Sequence, residues 1–465
     1  MMALSAAARV LHGRLAGADA QFTGVVSDSR KLAPGDLFIA LVGPRFDGHS
    51  FLDEAARAGA AGALVSRTED CALPAVWVAD TRLGLGVLAA HWRGTFDLPL
   101  IAVTGSNGKT TVKGMLASIM SETGTGLATE GNLNNDIGVP LTLLRLRAQD
   151  RYAVIEMGMN HPGEIDYLSR LARPTIALIT NAAQAHLAGL GSVAAVARAK
   201  GEIFVGLNES GFAVINSDDP YAELWRKLSG QRHQISFGLD TAADVSADYE
   251  LDGLGSTVRM KTPDGGVDVR LPVLGRHNVM NALAAAAASL PAGAGLRDIK
   301  NGLQRLRPAP GRLEIKRGSR GAHVLDDTYN ANPGSLAAGI DVLGHAGGER
   351  VLVMGDMAEL GDAAAEIHSR AGELARQAGI HRLYAIGTLT WPTVRSFGPG
   401  GQHFDEQEVL VDSLRNVMHP DMTILVKGSR VMRMERIVDG LVDPDGGVRD
   451  KAPIPGPDKD HERNA

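Results

Sequence analysis

Short apolar runs alternate with amphipathic segments along most of the chain. Between residues 99 and 310 the apolar runs lie at 100–103, 152–155, 175–179 and 212–215, with helical spacing between them. Strands that alternate with helices predict a parallel or mostly parallel sheet, in which ligands bind at the carboxyl ends of the strands. The pattern therefore predicts an α/β fold for this region.

The same alternation continues on both sides. Residues 1–98 predict a small α/β domain, and residues 311–443 predict a doubly wound sheet without a G-x-G-x-x-G fingerprint. We therefore divide the chain into domains at 1–98, 99–310 and 311–443. Within the second, residues 240–271 predict β-hairpins, and residues 444–465, rich in Pro, Gly and charge, predict a disordered tail.

Composition narrows the class of protein. The 465 residues carry a net charge of -6 and 4% aromatic side chains, without a basic cluster, which argues against a nucleic-acid partner. A single cysteine, Cys71, excludes an internal disulfide framework and suits a reducing compartment. No apolar stretch is long enough to span a bilayer, and the N-terminus lacks a signal-peptide pattern. We expect a cytoplasmic protein.

The most informative stretch, LIAVTGSNGKTTVKGM, covers residues 100–115. It predicts a buried strand, a glycine-containing turn and a helix, the arrangement in which backbone N–H groups and a helix N-terminus bind phosphate. Lys109 can reach the β- and γ-phosphates of ATP, and the Thr110 hydroxyl can hold Mg²⁺. Val103 replaces the first glycine of the general pattern, so the alternative is an ordinary turn before a lysine. The predicted phosphate contacts are Gly105, Ser106, Asn107, Gly108, Lys109, Thr110 and Thr111.

Three residues follow neighbouring predicted strands and can gather beside Thr110. Glu156 ends one strand, His186 lies after the next, and Lys200 lies on the helix beyond. Carboxylate oxygen suits Mg²⁺, whereas His186 alone also fits a hydrogen-bonded polar residue. Taken without further information, Lys200 fits a solvated or ion-paired helix lysine.

Candidate nucleotide contacts lie at the junction of the second and third domains. Asn278 and Asn281 are three residues apart at a helix start, where they can contact a nucleobase or simply cap the helix. Arg312 can neutralise phosphate charge, and Asp327 can accept a ribose hydroxyl. The segment 427–430, KGSR, is a further possible anion site.

Candidate substrate contacts lie on polar loops. Near the N-terminus, loops after strands suit a phosphorylated ligand, although an ordinary solvated loop is the alternative. Further candidates are asparagines ahead of a predicted helix in the second domain and in the sequence DDTYNANP of the third. These residues are Ser29, Arg30, Arg45, His49, Asn134, Asn135, Asn330 and Asn332.

As a set, several motifs resemble those of the Mur ligases, the ATP-dependent amide-forming enzymes of peptidoglycan precursor synthesis. They are TGSNGKTTVKGM, ATEGNLNNDIGVPLTLL, EMGMNHPGEI, GRHNVMNALAA, PGRLE and DDTYNANPGS. Within the family, the chain looks most like the members that add D-alanyl-D-alanine to UDP-N-acetylmuramoyl-tripeptide. The Asp-Asn-Pro-Arg motif with which another member holds its amino acid is absent.

The resemblance implies a three-domain architecture, with an N-terminal UDP-substrate domain, a central P-loop ATPase sheet and a C-terminal Rossmann-like sheet. It implies ATP with two Mg²⁺ ions, a carbamylated Lys200, and an acyl-phosphate intermediate. Its catalytic residues would be Lys109, Glu156, His186 and Lys200. The metal ligands would come from Thr110 and the last three of these.

By the same resemblance, Asn278, Asn281, Arg312 and Asp327 would bind the nucleotide, and Ser29 and Arg30 would lie at the uridine end. The two substrates would be UDP-N-acetylmuramoyl-tripeptide and D-alanyl-D-alanine, and we expect a monomer. Two alternatives remain at this point. One is a folylpolyglutamate-synthetase-like or cyanophycin-synthetase-like ligase, and the other is a P-loop kinase or nucleotide switch that forms no amide.

Overall fold

The structure is a computed structural model that describes residues 1–67, 72–183, 190–252 and 255–443. Its described part contains three larger sheets, one in each third of the chain, with helices packed against them. The predicted α/β fold is confirmed. Cys71, His186 and the predicted tail at 444–465 lie outside the described residues. None of the described helices combines the length and apolar character that crossing a bilayer requires.

The N-terminal sheet is parallel except for its first strand, which pairs antiparallel with its neighbour. Polar loops at its edge carry short 3₁₀ turns. In spatial order its strands are Arg14–Ala16, Ala75–Trp77, Gly62–Val65, Asp36–Ile39 and Gly24–Val26. Two strand pairs lie beside it, Met2–Ala3 with Gln21–Phe22 and Val42–Gly43 with Phe46–Asp47. The helices are Leu4–Val10, Leu52–Arg57 and Thr81–Arg93, and the 3₁₀ turns are Ser29–Lys31 and Gly48–Phe51.

The central sheet is parallel throughout. In spatial order its strands are Leu127–Ala128, Ala153–Glu156, Leu100–Thr104, Ile176–Ile179, Phe212–Asn216 and His233–Phe237. The helices of this region are Lys109–Met120, Gly138–Leu143, Glu164–Ala172, Val193–Gly201, Ala222–Ser229, Arg276–Ser289 and Leu296–Gln304, with a 3₁₀ turn at Glu202–Phe204. The predicted hairpins are an antiparallel sheet of Ser246–Asp252, Gly255–Thr262 and Gly265–Leu271.

The C-terminal sheet is parallel except at one edge. In spatial order its strands are Glu314–Arg317, His323–Asp327, Met422–Lys427, Glu349–Gly355, Arg382–Ile386 and Gly401–Phe404. The helices are Pro333–Gly344, Ala364–Gln377, Trp391–Phe397, Gln407–Val417 and Glu435–Leu441, with 3₁₀ turns at Ser319–Gly321, Gly361–Ala363 and Arg430–Met432. The doubly wound sheet predicted here is confirmed.

The strand Leu100–Thr104 is completely buried because helices cover both faces of the central sheet. Leu100 and Ala102 pack into one hydrophobic cluster, and Ile101 and Val103 pack into another on the opposite face. The first cluster continues into Leu85 and Leu88 of the N-terminal region. Since apolar burial stabilises about 25 cal/mol per Å², this shared core fastens the N-terminal sheet to the central one.

In the described central and C-terminal six-stranded sheets, four strands were not predicted, and all of them are peripheral. They are Leu127–Ala128 and His233–Phe237 at the edges of the central sheet, and Glu314–Arg317 and Gly401–Phe404 at the edges of the C-terminal sheet. An edge strand has only one paired neighbour and need not be apolar: three of these strands carry polar residues, and Leu127–Ala128 has only two residues, so none shows the apolar run by which buried strands are recognised.

Candidate active site

The loop after Leu100–Thr104 has a backbone shape that requires glycine at two positions. Gly105 and Gly108 have φ values of 153° and 82°, in the region that side chains disfavour. A Cβ atom would also collide with Thr180 at the first position and with Asn281 at the second. Gly108 directly precedes the helix Lys109–Met120, so the free N–H groups of the helix start face the loop. The loop is thus a cradle for an anion.

A neighbouring segment holds this cradle in place. The Ser106 N–H donates to the Asn181 carbonyl at 2.9 Å, and the Asn107 N–H donates to the Asn181 side chain at 3.0 Å. The Thr180 hydroxyl donates to the Asn107 carbonyl at 2.6 Å. Both anchoring residues follow the strand Ile176–Ile179, which pairs in parallel with Leu100–Thr104. The loop is therefore fixed before any ligand binds.

Lys109 lies over the loop that precedes it. Its Nζ donates to the Gly105 carbonyl at 2.6 Å and to the Ser106 carbonyl at 3.4 Å. Burial lowers the pKa of Lys109, and the nearby Glu156 carboxylate opposes that shift. A phosphate in the cradle would give this ammonium a charged acceptor in place of two neutral carbonyls.

Glu156 reaches the same place from the adjacent strand, because its backbone is paired with that of Val103. Its Oε1 accepts hydrogen bonds from Asn134 Nδ2 at 2.9 Å and from Thr110 Oγ1 at 3.4 Å. Its Oε2 is buried and has no hydrogen-bond partner among the described residues, although Lys113 Nζ lies 3.5 Å away. An under-satisfied buried carboxylate beside a threonine hydroxyl fits Mg²⁺, which takes few protein oxygens and completes its shell with phosphate and water.

Lys200, on the helix Val193–Gly201, lines the same cleft as Thr110 and Glu156 and is only 2% exposed. Burial lowers its pKa far below the usual range, and the charge of Lys109 adds to the shift. No described carboxylate forms an ion pair with it. Nor do the described residues contain a group of three or more His, Cys, Asp or Glu side chains suited to a metal. His186, the other predicted ligand, lies outside the described residues.

A cavity of about 580 Å³ adjoins the loop on the side of the helix Arg276–Ser289. All four predicted nucleotide contacts line this cavity, together with Asn107, Gly108 and Thr111. The four contacts are Asn278, Asn281, Arg312 and Asp327. Asn281 Nδ2 donates to Asn278 Oδ1 at 3.0 Å, and Asn278 Nδ2 donates to the Leu274 carbonyl at 2.8 Å. These bonds fix both amides at the cavity wall. The residues therefore fit a nucleotide whose phosphates lie in the cradle.

Arg312 and Asp327 come to this cavity from the C-terminal region. Arg312 stacks on the Tyr329 ring at 4.1 Å, and its Nη2 donates to Thr110 Oγ1 at 3.4 Å. No described residue accepts a hydrogen bond from its buried Nε. Asp327 Oδ2 lies 2.5 Å from Lys427 Nζ in a buried ion pair. An unmet guanidinium donor beside the threonine is well placed for a phosphate oxygen.

A larger cleft, of about 890 Å³, joins all three regions above the loop. Among the predicted substrate contacts, Asn134, Asn135, Asn330 and Asn332 line it. The Asn332 amide donates to the Asn107 side chain at 2.7 Å and links the C-terminal region to the phosphate loop. Asn135 Oδ1 accepts from the Gly138 N–H at 2.9 Å, at the start of the helix Gly138–Leu143.

Comparisons with known proteins agree with this arrangement. Models described as the Mur ligase middle domain, the Mur ligase glutamate ligase domain and the Mur ligase family catalytic domain match residues 103–289, 311–430 and 21–93. An Escherichia coli K12 protein named UDP-N-acetylmuramoyl-tripeptide--D-alanyl-D-alanine ligase is 47% identical, covering 94% of this chain and 98% of its own length. The chain belongs to the Mur ligase family.

Solved Mur ligase structures share the fold. One is a UDP-N-acetylmuramoylalanyl-D-glutamyl-2,6-diaminopimelate--D-alanyl-D-alanyl ligase from Acinetobacter baumannii, with 37% identity, a TM-score of 0.85 and coverage of 94% of this chain and 97% of the other. Another is a MurF ligase from Thermotoga maritima in complex with ADP, with 28% identity, a TM-score of 0.79 and coverage of 90% and 96%. The predicted three-domain Mur ligase architecture is confirmed.

In this Mur ligase, four predicted substrate contacts do not line the cleft: Ser29, Arg30, Arg45 and His49. Arg30 pairs with Asp28 at 2.9 Å and is largely exposed. His49 is buried within the N-terminal region. It is 2% exposed, its Nδ1 lies 2.7 Å from Asp47 Oδ1, and its Nε2 accepts from the Ser66 N–H at 3.1 Å. Both ring nitrogens thus have hydrogen-bond partners within the protein.

Some residues of the Mur ligase site were not among the predicted contacts. Lys113 is 7% exposed, donates to the Gly131 carbonyl at 3.1 Å and lies next to Glu156. Its position four residues after Lys109 on the same helix was the available signal, since residues four apart share a face. Thr180 and Asn181 carried no such signal, because their role depends on the pairing of two strands distant in sequence.

Proposed function

We propose that this Mur ligase joins D-alanyl-D-alanine to UDP-N-acetylmuramoyl-tripeptide at the expense of ATP, forming the UDP-linked pentapeptide. The observation that carries the proposal is the cleft itself. It places the phosphate loop and Glu156 against residues from the N-terminal and C-terminal regions. Relatives with this named activity cover almost the whole chain at up to 47% identity, which supports the same substrates here.

The reaction proceeds in two steps. A terminal carboxylate oxygen of the tripeptide attacks the γ-phosphorus of ATP, so that an acyl phosphate forms and ADP leaves. The amine of D-alanyl-D-alanine then attacks the acyl carbon, loses a proton, and displaces inorganic phosphate. Phosphate is a far better leaving group than the oxygen of a free carboxylate, so the first step makes amide formation feasible. ADP and phosphate are the by-products.

The residues around the loop supply charge and geometry for the first step. Backbone N–H groups of the Gly105–Gly108 turn and the ammonium of Lys109 lie where negative charge accumulates on the transferring phosphoryl group. Arg312 adds a guanidinium from the C-terminal side. The contact between Asn332 and Asn107 links the C-terminal region to the loop, and closure of the regions over the substrates would exclude water that hydrolyses the intermediate.

Metal ions complete the proposal. Thr110 and Glu156 would hold one Mg²⁺, and Glu156, His186 and a carbamylated Lys200 would hold a second. Mg²⁺ bound there neutralises charge on the phosphate oxygens. The Lys200 Nζ is suited to carbamylation because burial favours its neutral amine, the form that adds to carbon dioxide. The carbamate is an anion and would replace a destabilising ammonium with an oxygen ligand.

We also retain three expectations as part of the proposal. The domain boundaries are placed at residues 98, 310 and 443, outside the matched ranges 21–93, 103–289 and 311–430. The enzyme acts in the cytoplasm, where ATP is abundant. We also expect it to act as a monomer.

The test is a reconstituted reaction analysed by mass spectrometry. Purified protein is supplied with ATP, Mg²⁺, UDP-N-acetylmuramoyl-tripeptide and D-alanyl-D-alanine, and the expected product is the pentapeptide together with one ADP per amide. Phosphate release that requires a different amine would show another ligase specificity. Transfer of phosphate without any amide would show a kinase, and either result would contradict the proposal.

A further inference from the structure

The N-terminal region contributes Asp80, Arg82 and Leu83 to the described lining of the large cleft. The Asp80 carboxylate is used locally, because it accepts from the N–H groups of Arg82 at 2.7 Å and Leu83 at 3.0 Å and thereby caps the helix Thr81–Arg93. Arg82 is therefore the cation that this wall offers to a ligand. Its side chain is 51% exposed.

Arg82 binds a carboxylate in a two-pronged geometry. Its Nη2 donates to Asp136 Oδ1 at 2.7 Å, and its Nε pairs with Asp136 Oδ2. The planar guanidinium fork matches the two oxygens of any carboxylate, whether it belongs to the protein or to a ligand. The Asp136 carboxylate thus occupies the place that a ligand carboxylate would take.

Helix stability does not explain why an arginine is present at position 82. It lies in the first turn of its helix, where the dipole disfavours a positive charge. Attachment of the N-terminal region does not require the ion pair either, because a shared hydrophobic cluster already joins the two regions. A half-exposed ion pair adds little stability and exchanges easily. The position therefore suits a guanidinium that changes partners.

The proposed substrate supplies the alternative partner. The Acinetobacter baumannii relative is named for a peptide that contains a glutamyl and a diaminopimelate residue, and a glutamyl residue in amide linkage keeps one free carboxylate. The cleft that Arg82 and Leu83 line also reaches Lys109, so a peptide bound along it can contact Arg82. The other cations lining the described cleft, Lys109, Lys200, Arg312 and Arg430, lie in the central and C-terminal regions.

We propose that Arg82 determines specificity for an acidic peptide by binding a carboxylate inside the tripeptide, and that Asp136 holds the guanidinium until the peptide displaces it. The inference rests on the proposed function. Asp136 is consequently a competitor of the substrate and not a partner in binding it. Substitution of Arg82 and substitution of Asp136 are therefore expected to have different effects on binding of the tripeptide substrate.

The test compares Arg82→Met, Arg82→Lys, Asp136→Asn and the double variant Arg82→Met/Asp136→Asn in the pentapeptide assay. Arg82→Met should raise the KM for UDP-N-acetylmuramoyl-tripeptide by about 10-fold to 100-fold, since a bond to a charged group is lost. The KM for ATP should stay within about twofold. Arg82→Lys should recover part of the loss because it keeps the charge without the fork. Asp136→Asn should lower the KM for the tripeptide substrate or leave it unchanged.

A binding measurement separates failure of this inference from failure of the proposed function. Calorimetry with UDP-N-acetylmuramoyl-tripeptide and with UDP-N-acetylmuramate, which lacks the peptide, should show that Arg82→Met weakens only the first. If both single variants weaken tripeptide binding equally and the double variant is no worse, the pair is only a clamp between regions. Unchanged binding by Arg82→Met would also overturn the inference. An inactive wild type would instead contradict the proposed function.

Discussion

Two buried lysines, one on a helix of the central region and one at the end of a strand in the C-terminal sheet, differ in what surrounds their charge. Lys200 in the central region and Lys427 in the C-terminal region are each 2% exposed. Burial lowers the pKa of both. For Lys427 the Asp327 carboxylate opposes the shift from 2.5 Å, whereas for Lys200 the second influence is the positive charge of Lys109, which increases it.

The surroundings of a buried charge therefore indicate its role. An ammonium with a carboxylate partner satisfies the requirement that buried charges be paired. An ammonium without one carries a cost that the fold does not offset, so it either loses its proton or is converted to another group. Lys427 is therefore a paired charge in the wall of the cavity beside the loop, and Lys200 is the position at which chemical modification would relieve the cost.

Removing the partner of Lys427 should have the largest effect on stability. Asp327→Asn is expected to lower the free energy of unfolding by about 3 kcal/mol, because it leaves a buried ammonium unpaired. Urea denaturation measures the loss. Asp341→Asn is the matched control, since Asp341 lines the same cavity with a half-exposed side chain, and it should change stability by less than about 0.5 kcal/mol. Equal losses in both variants would contradict the comparison.

Removing Lys200 should affect catalysis and not folding. Lys200→Ala is expected to lower kcat by about 10²-fold to 10³-fold, the usual loss when a charge-stabilising group leaves an active site. Its thermal midpoint should not fall as that of Asp327→Asn does, because Lys200 forms no ion pair with any residue that the structure describes.

Added formate or acetate should restore part of the Lys200→Ala activity if the native group is a carbamate, because the anion replaces its oxygens. Lys200→Arg is the control: it keeps a cation, forms no carbamate under these conditions and should not respond to the added anion. Full activity of Lys200→Ala without rescue would remove Lys200 from the mechanism.

A smaller effect, on the pH dependence of stability, is expected from His277, whose pKa depends on the charge of Lys427. Burial, with the charge of Lys427 added, lowers the pKa of His277 to about 4, and Asp341 acts in the opposite direction. Between pH 4 and an unfolded value near 6.5, the unfolded chain binds a proton that the folded protein does not. The contribution of His277 to the free energy of unfolding is therefore complete above about pH 6.5, and it declines by about 1–3 kcal/mol as the pH falls to 4.

Urea denaturation of the wild type and His277→Gln across this pH range measures the contribution, and the variant should show the flatter profile. Lys427→Met should raise the pKa of His277, which nuclear magnetic resonance titration detects directly. Identical pH profiles for the wild type and His277→Gln would show that the histidine is not held neutral by its surroundings.

The sequence by itself determined the order of strands and helices and the phosphate loop. Residues 100–103 could be predicted as a strand because burial on both faces demands an uninterrupted apolar run. The turn could be predicted from the glycines at 105 and 108, because only glycine adopts their backbone shape readily. These are local requirements that one stretch of chain must meet alone. The edge strands escaped prediction because they need not be apolar.

Only the tertiary structure decided how the candidate residues are used. The sequence around His49 does not show that both ring nitrogens of this residue have hydrogen-bond partners. The sequence around Lys200 does not show that this residue lacks a described carboxylate partner. Pairs such as Asp327 with Lys427 and Arg82 with Asp136 join residues 100 and 54 positions apart. Charge and hydrogen bonding act over a few ångströms in space, so their outcome depends on which distant segments the fold brings together.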